Sequence, residues 1–320
     1  MDAPSSFRNR REVTGLLLLD KPQGLSSNQA LQRAKRLFAA RKAGHTGSLD
    51  PIATGMLPLC LGEATKLSSY LLKAEKRYRV TAEIGRKTDT GDASGATVLK
   101  RPPAQLERAA LEVALERFTG EIEQVPPMYS ALKHKGRRLY ALAREGRTVE
   151  RAPRRVRIHS LDIHEYSPFA PVFSVRCGSG VYIRTLIEDL AESLGALACV
   201  SALRRLGVAP FEEASMVTME ALEAAADEGP SALDAMLLPA DAAVQALPAA
   251  RLSSGEGFHV QRGNPVAAAR GVRPGPVRLY IGERQFIGIG EVTLDGQVAP
   301  RRLLKPQPAH NGANAGTMRG

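Results

Sequence analysis

Residues 76–85, KRYRVTAEIG, alternate without a break. Tyr78, Val80, Ala82 and Ile84 fall on one side, and charged or polar residues fall on the other. A period of two fits a strand with one buried face, and a helix cannot use it. The chain must therefore build a sheet and cover it. GLLLLDKPQGLSS (15–27) adds a buried strand ending at Asp20, followed by a Pro/Gly turn. VRIHSLDIHEY (156–166) and PVFSVRC (171–177) read as strands, the first with a bulge where Leu161 breaks the alternation.

Covering helices are also legible. YIRTLIEDLAESLG (182–195) carries the stripe Ile183, Leu186, Ile187, Leu190 and Leu194, with Gly195 to cap it. Ser26 and Gln29 make a capping-box pattern ahead of Leu31, Ala34, Leu37 and Phe38. Ala64, Leu67 and Leu71 lie at helical spacing. Residues 104–118 read as a helix buried through Leu106, Ala110, Val113 and Phe118. RKTDTGDASG (86–95) reads as a polar glycine loop, and residues 221–250, alanine-rich with prolines, as a helix and then a connector. GFHVQRGNPV (257–266) and VRLYIGERQFIGIGEV (277–292) read as short strands of a small β unit. No repeat and no strict βαβ rhythm is present, so the expected class is α+β.

Charge narrows the partners. The 320-residue chain carries a formal net charge of +11. Within residues 126–158 ten Lys and Arg stand against two Glu, with Tyr129, His134 and Tyr140 interleaved. Cations in such density repel one another unless they meet a polyanion, and aromatic rings can stack on exposed bases. The expected partner is a polyanion: nucleic acid stands ahead of an acidic membrane surface, and ahead of a merely solvated helix face with no partner. Cys60, Cys177 and Cys199 are far apart and form no CxxC pair, which argues against a disulfide framework or zinc site and fits a reducing cytosol. The LLLL run is too short for a signal-peptide core, and no apolar run approaches the ~18 residues needed to span a bilayer. The expected location is cytoplasmic, with no membrane partner.

The chemistry centres on AGHTGSLDPIATGML (43–57), where one acid, Asp50, stands in a loop of small and polar residues. A lone carboxylate can be a nucleophile, a general base, the buried partner of an arginine, or a turn residue before Pro51. His45 reads as structural on its own. The loop lacks the Gly-Lys-Ser/Thr ending of a triphosphate-binding loop.

Five blocks in order then resemble one family. They are DKPQGLSSN, RKAGHTGSLDPIATGMLPLCLGEATKL, KRYRVTAEIGRKTDTGDASG, VPPMYSALKHKGRRLYALAREG and VYIRTLIEDL. Together they resemble the TruB family of bacterial tRNA pseudouridine(55) synthases from about residue 14 to 210. The resemblance implies an α+β pseudouridine synthase fold, a mixed, mainly antiparallel sheet flanked by helices. It also implies a small C-terminal β-rich domain like the PUA RNA-binding domain. It implies isomerisation of a T-loop uridine in tRNA with no cofactor and no metal, by a protein expected to be a monomer. Asp50 occupies the catalytic position, Arg184 its ion-pair partner, and Tyr182 the place of a late proton transfer near carbon 5. His45 would fill the space of the flipped base, Tyr78 would stack on the uracil, Leu203 would line the pocket, and Asp92 would bond flipped nucleotides. Lys21 and Pro22 resemble a motif that supports the active loop. Lys133, Arg137 and Arg138 would contact RNA. Val181 stands where the family commonly has threonine.

The expected division is a flexible terminus over 1–13, a catalytic domain over 14–245, a PUA-like domain over 246–305 and a disordered tail over 306–320. A basic insertion over about 126–153 would clamp the T arm, mobile without RNA and ordered with it. Two rivals remain: an RNA chaperone that refolds tRNA with secondary or no catalysis, and a carboxylate-dependent glycosidase or hydrolase of small sugars, which the charge disfavours.

Overall fold

In the computed structural model the described residues are 10–103, 105–268 and 273–305. The first half of the chain gives β1 (Gly15–Lys21), α1 (Ser27–Leu37), β2 (Ala43–His45), β3 (Thr54–Leu61), α2 (Ser68–Lys73) and β4 (Lys76–Ile84). Then come β5 (Arg86–Thr88), β6 (Thr97–Lys100), α3 (Arg108–Arg117), β7 (Gly120–Gln124), β8 (Lys133–His134), β9 (Arg137–Arg138) and α4 (Leu139–Arg144). The centre continues with β10 (Arg154–Glu165), β11 (Val172–Cys177), α5 (Ile183–Ser193), β12 (Ala198–Val208), β13 (Val217–Thr218), α6 (Met219–Glu228) and α7 (Pro230–Ala235). The C-terminal unit holds β14 (Ala249–Leu252), α8 (Ser254–Gln261), β15 (Val266–Ala267), β16 (Gly275–Ile281), β17 (Gln285–Val292) and β18 (Gln297–Leu303).

Nine strands form the main sheet in the order β13-β1-β3-β12-β4-β11-β10-β7, with β2 paired to β3. Only β1/β13 and β3/β12 run parallel, so the sheet is mixed and mainly antiparallel, as expected. The alternating stretch is β4, and Tyr78, Val80, Ala82 and Ile84 all face the core. The leucine run is buried on both faces. Leu17 and Leu19 join the core under α1, α3, α5 and α6, while Leu16 and Leu18 join a second core on the opposite face. That second core takes in Ile289 of β17, with Phe286 and Leu304 packed against it. The five-stranded sheet β14-β16-β17-β18-β15 is therefore docked on the back of the main one. Lys66 donates to the Leu303 carbonyl at 2.9 Å and the Lys305 amide donates to Glu63 at 2.8 Å, which tie the two further.

The capping box on α1 is formed: the Gln29 amide donates to Ser26 Oγ at 3.2 Å and the Ser26 amide to Gln29 Oε1 at 2.9 Å. Four expectations are corrected. Residues 254–261 are helical, because Ser253 and Glu256 cap one another and start α8 where the apolar pattern suggested a strand. The buried stripe of α3 is Leu111, Ala114 and Leu115; Ala110 and Val113 face solvent, since the helix starts only at Arg108 and its phase is shifted. The glycine loop opens with β5, which pairs with the wholly exposed β6, a strand with no apolar face to announce it. The β10 irregularities lie between Ile158 and Ser160 and between Ile163 and Glu165, and Leu161 between them pairs normally with Val175. Residues 1–9 and 306–320 lie outside the described residues, but the last part of the supposed flexible terminus is built in. The Arg11 amide donates to the Ala39 carbonyl at 2.8 Å, and Val13 is buried.

Gly55 shows how tightly β3 and β12 meet. Its φ is +97°, and a Cβ there would sit 2.2 Å from the Arg205 carbonyl oxygen. Gly55→Ala is expected to cost about 2–4 kcal/mol, because strain and overpacking add. Gly24→Ala, at φ +88° with open space around it, should cost only about 1 kcal/mol. Urea unfolding of the two variants checks the difference.

Candidate active site

The β2–β3 connection carries Asp50, and the fold anchors it from several sides. Ser27, buried in the first turn of α1, accepts the Leu49 amide at 2.7 Å and returns its hydroxyl to the Leu49 carbonyl at 3.0 Å. The Ala53 amide closes a turn on the Asp50 carbonyl at 3.0 Å, and the Gly24 amide donates to the Pro51 carbonyl at 2.8 Å. Lys21, fully buried at the end of β1, donates to the carbonyls of Pro22 and Leu25 at 2.8 and 2.7 Å. It thereby holds the turn on which Pro51 rests.

Arg184 comes from the first turn of α5. Its Nε lies 2.9 Å from Asp50 Oδ2 and its Nη2 lies 3.3 Å from Oδ1, a two-point grip. The guanidinium also donates to the carbonyls of Thr90 and of Tyr129, the latter at 2.8 Å. Arg184 is 6% exposed while the Asp50 side chain is 37% exposed. The carboxylate therefore remains reachable, and its counter-ion does not. Burial of its inner side pushes the Asp50 carboxyl above the ordinary carboxylate range, against the opposing pull of Arg184 and then, after a push from Asp92, of Lys21.

Beside this pair lies an apolar wall. Tyr78 on β4 faces Arg205 on β12 in register, and Val80 faces Leu203. Tyr78 and Leu203 are both buried in the main core. Tyr182 caps α5, and Gln124 holds its backbone from both sides: the Tyr182 amide donates to Oε1 at 3.0 Å, and Nε2 donates to the Tyr182 carbonyl at 3.1 Å. Burial pushes the Tyr182 phenol above its ordinary range, opposed by Ser130, Arg154 and Arg184. Val181 is half-buried against the same core. His45 is half-buried with Nδ1 unpartnered, and burial, Arg205 and Arg138 all push it toward the neutral imidazole.

The structure thus sets Asp50 against Arg184, with Lys21, Tyr78 and Tyr182 near enough to feel its charge, His45 near Arg205, and Leu203 two residues from Arg205 on β12. Asp92 is nearby but turned inward. Its Oδ1 accepts from the Ser94 amide and hydroxyl at 3.0 and 2.5 Å and from Thr90 at 3.1 Å, so it shapes the glycine loop. Lys133, Arg137 and Arg138 lie on the exposed β8–β9 hairpin, where Lys135 and Gly136 both take positive φ in the two-residue turn. Three anchoring residues escaped the sequence reading: Ser27, Gln124 and Arg205. Ser27 stood in the shadow of the capping residue Ser26. Arg205 did leave a signal, since it shares strand parity with inward-facing Leu203. Among the described residues no group of three or more His, Cys, Asp or Glu converges as a metal site, and no helix is long and apolar enough to cross a membrane.

Comparisons with known proteins place the whole chain. Residues 35–183 match the family model of the TruB family pseudouridylate synthase N-terminal domain. Residues 184–245 match the tRNA pseudouridylate synthase B C-terminal domain, and residues 248–304 the pseudouridine synthase II TruB C-terminal model. The chain is 50% identical over 309 residues to tRNA pseudouridine synthase B of Sodalis glossinidius (strain morsitans), covering 95% of this chain and 98% of that one. It is also 50% identical to the protein of the same name from Pseudomonas aeruginosa (strain UCBPP-PA14), over 93% and 98% of the two chains. Among solved structures, a chain of a Cbf5-Nop10-Gar1 complex superposes with a TM-score of 0.71 at 23% identity, covering 91% of this chain and 85% of that one. An archaeal box H/ACA sRNP Nop10-Cbf5 complex gives 0.69 at 22% identity, with 95% and 90% covered. These two share the fold.

Ser27→Ala removes the acceptor of a buried amide beside Asp50. It is expected to cost about 1–3 kcal/mol and to speed amide exchange at Leu49, which urea titration and hydrogen exchange would read.

Proposed function

The chain belongs to the TruB family of pseudouridylate synthases, isomerases of uridine in tRNA, and from that premise we propose that it acts on the T-loop uridine at position 55 through Asp50. The observation that carries the reading is the two-point grip of buried Arg184 on a carboxylate that is itself partly exposed. Such a pair keeps one acid ionised, oriented and available.

The target base is stacked in its loop and must be flipped out before any side chain reaches the sugar. His45, held neutral, would take the space it leaves. Tyr78 and Leu203 would receive the uracil on the apolar wall. Asp50 would then attack C1′ or remove the C2′ proton, and on either route it must be ionised. The N-glycosidic bond breaks, the detached base turns, and C5 joins C1′. Tyr182, at the start of α5 two residues before Arg184, would take part in moving the C5 proton. Asp92 would act through the glycine loop it shapes, and Lys21 through the turn beneath Asp50. No group is gained or lost, so the reaction needs no cofactor.

The partner is the T arm of tRNA, bound by one copy of the chain in the cytoplasm. Lys133, Arg137 and Arg138 would contact its phosphates from an insertion spanning about 126–153, within a catalytic domain over 14–245. The smaller unit, 246–305, would add RNA contacts. Support for the clamp is its exposed charge and the bond from Arg184 to Tyr129 at its root.

A T-arm hairpin tritiated at uracil C5 tests the reading, because rejoining through C5 expels that tritium. Wild type should release it and Asp50→Asn should release it about 1,000-fold more slowly, with RNA affinity retained. Release by neither, with tight salt-sensitive binding, would instead favour an RNA-binding protein or another target uridine. The pH profile gives a second test. Asp50 must be ionised and its pKa is raised, so activity should fall, as pH drops, at a pH above the ordinary aspartate range. Arg184→Gln removes an opposing pull, so it should move this acid limb to higher pH and lower kcat by about 100-fold.

A further inference from the structure

Arg205 is among the largest fully buried side chains, 1% exposed, at the centre of the main sheet. Among the described residues no carboxylate lies within ion-pair distance of it. Its partners are neutral. Nε donates to the Met56 carbonyl at 2.5 Å, and Nη2 donates to the Gly47 carbonyl at 3.1 Å, three residues before Asp50. Its guanidinium also adjoins the hydroxyl of Tyr78, the residue opposite it on β4. A buried cation without a counter-ion is costly, and an apolar side chain in its place is often neutral or stabilising. Stability alone therefore gives little reason for an arginine here.

The proposed reaction supplies one. When the C1′–N1 bond breaks, its electron pair leaves with N1 and the uracil becomes an anion. Asp50 loses its negative charge in the same step, by forming an ester with C1′ or by taking the C2′ proton. One unit of negative charge thus moves from Asp50 to the base. Arg184 faces the carboxylate and stabilises the charge where it starts. Arg205 has no carboxylate to face and lies beside Tyr78, its cross-strand neighbour, on which the uracil would rest as the charge arrives. An interaction stronger after this shift than before it lowers the barrier. Arginine also keeps its charge throughout the working range, whereas burial brings the neighbouring buried lysines Lys21 and Lys76 down to about 8.

We propose that Arg205 is a positioning residue for the isomerisation, holding Tyr78 and the Gly47 end of the aspartate loop while placing a permanent positive charge near the detached uracil anion. This rests on the reading of the site given above.

The test compares Arg205→Lys, Arg205→Gln and Arg205→Met in the full chain, with the C5-tritiated hairpin. Hairpin affinity is measured with the same substitutions in the Asp50→Asn background, and folding by urea unfolding. The expected result is a KM and an affinity within about threefold of wild type, with kcat lowered by about 100-fold in the Gln and Met variants. Arg205→Lys should recover about tenfold over Arg205→Gln, since it restores the charge without the planar fork. A folded Met variant with kcat within about threefold of wild type would overturn the proposal. If the Met variant does not fold, a Lys variant no faster than the Gln variant overturns it equally. A wild type that releases no tritium would sink the underlying reading instead, which separates the two failures.

Discussion

The grip of Arg184 on Asp50 closes three pieces of chain on one another. The carboxylate belongs to the β2–β3 loop, and the same guanidinium holds the carbonyl of Thr90 in the glycine loop and of Tyr129 at the foot of the basic segment. None of the three could be fixed by its own sequence, since each is short, polar and rich in small residues. An arginine suits the task because its planar fork presents several donors in a fixed geometry, and burial makes each bond count for more. The glycine loop, the foot of the basic segment and the orientation of the carboxylate are thus tied to one side chain. That side chain is in turn set by α5, whose apolar stripe locks it onto the sheet.

Legibility followed the physics of each feature. β4 and α5 were plain because repeated burial on one face leaves a period, and a period survives without knowledge of partners. The phase of α3 was not, since Leu106 and Phe118 are apolar but lie outside the helix and pulled the inferred stripe off Leu111 and Leu115. α8 was missed because a glycine-rich, weakly amphipathic segment takes its helicity from reciprocal capping by Ser253 and Glu256. In the site, Asp50, Tyr182 and Arg184 stood out through the family blocks; composition and spacing left Asp50 with several roles. Ser27, Gln124 and Arg205 act through backbone groups brought from distant segments, and no local pattern records such a bond. Asp92 was visible as an acid but not as one whose oxygen is turned inward to its own loop.

The electrostatic layout has a common logic. Outside, the basic hairpin offers its charges to solvent, where they can draw in a polyanion over about a Debye length. Inside, the partly exposed carboxylate of Asp50 and the buried one of Asp92 lie among buried cations. Lys21 and Arg184 act on Asp50, and Arg205 lies beside Tyr78. The two sets are close enough to meet: Arg138 of the hairpin acts on His45, and Arg184 bonds the Tyr129 carbonyl at the foot of the basic segment.

The order of strands has a consequence for how the chain is made. β12 lies between β3 and β4 and is their only link within the sheet, yet it is translated more than a hundred residues after either of them. Until it emerges from the ribosome, the two N-terminal strands present open edges to each other across a gap that nothing else fills. Such unpaired edges invite mispairing in a nascent chain. The strand that closes the gap also carries Leu203 and Arg205, so the sheet and the buried wall of Tyr78 and Leu203 are completed by the same strand. A growing chain thus contains the β8–β9 hairpin before it holds Leu203 or Arg205.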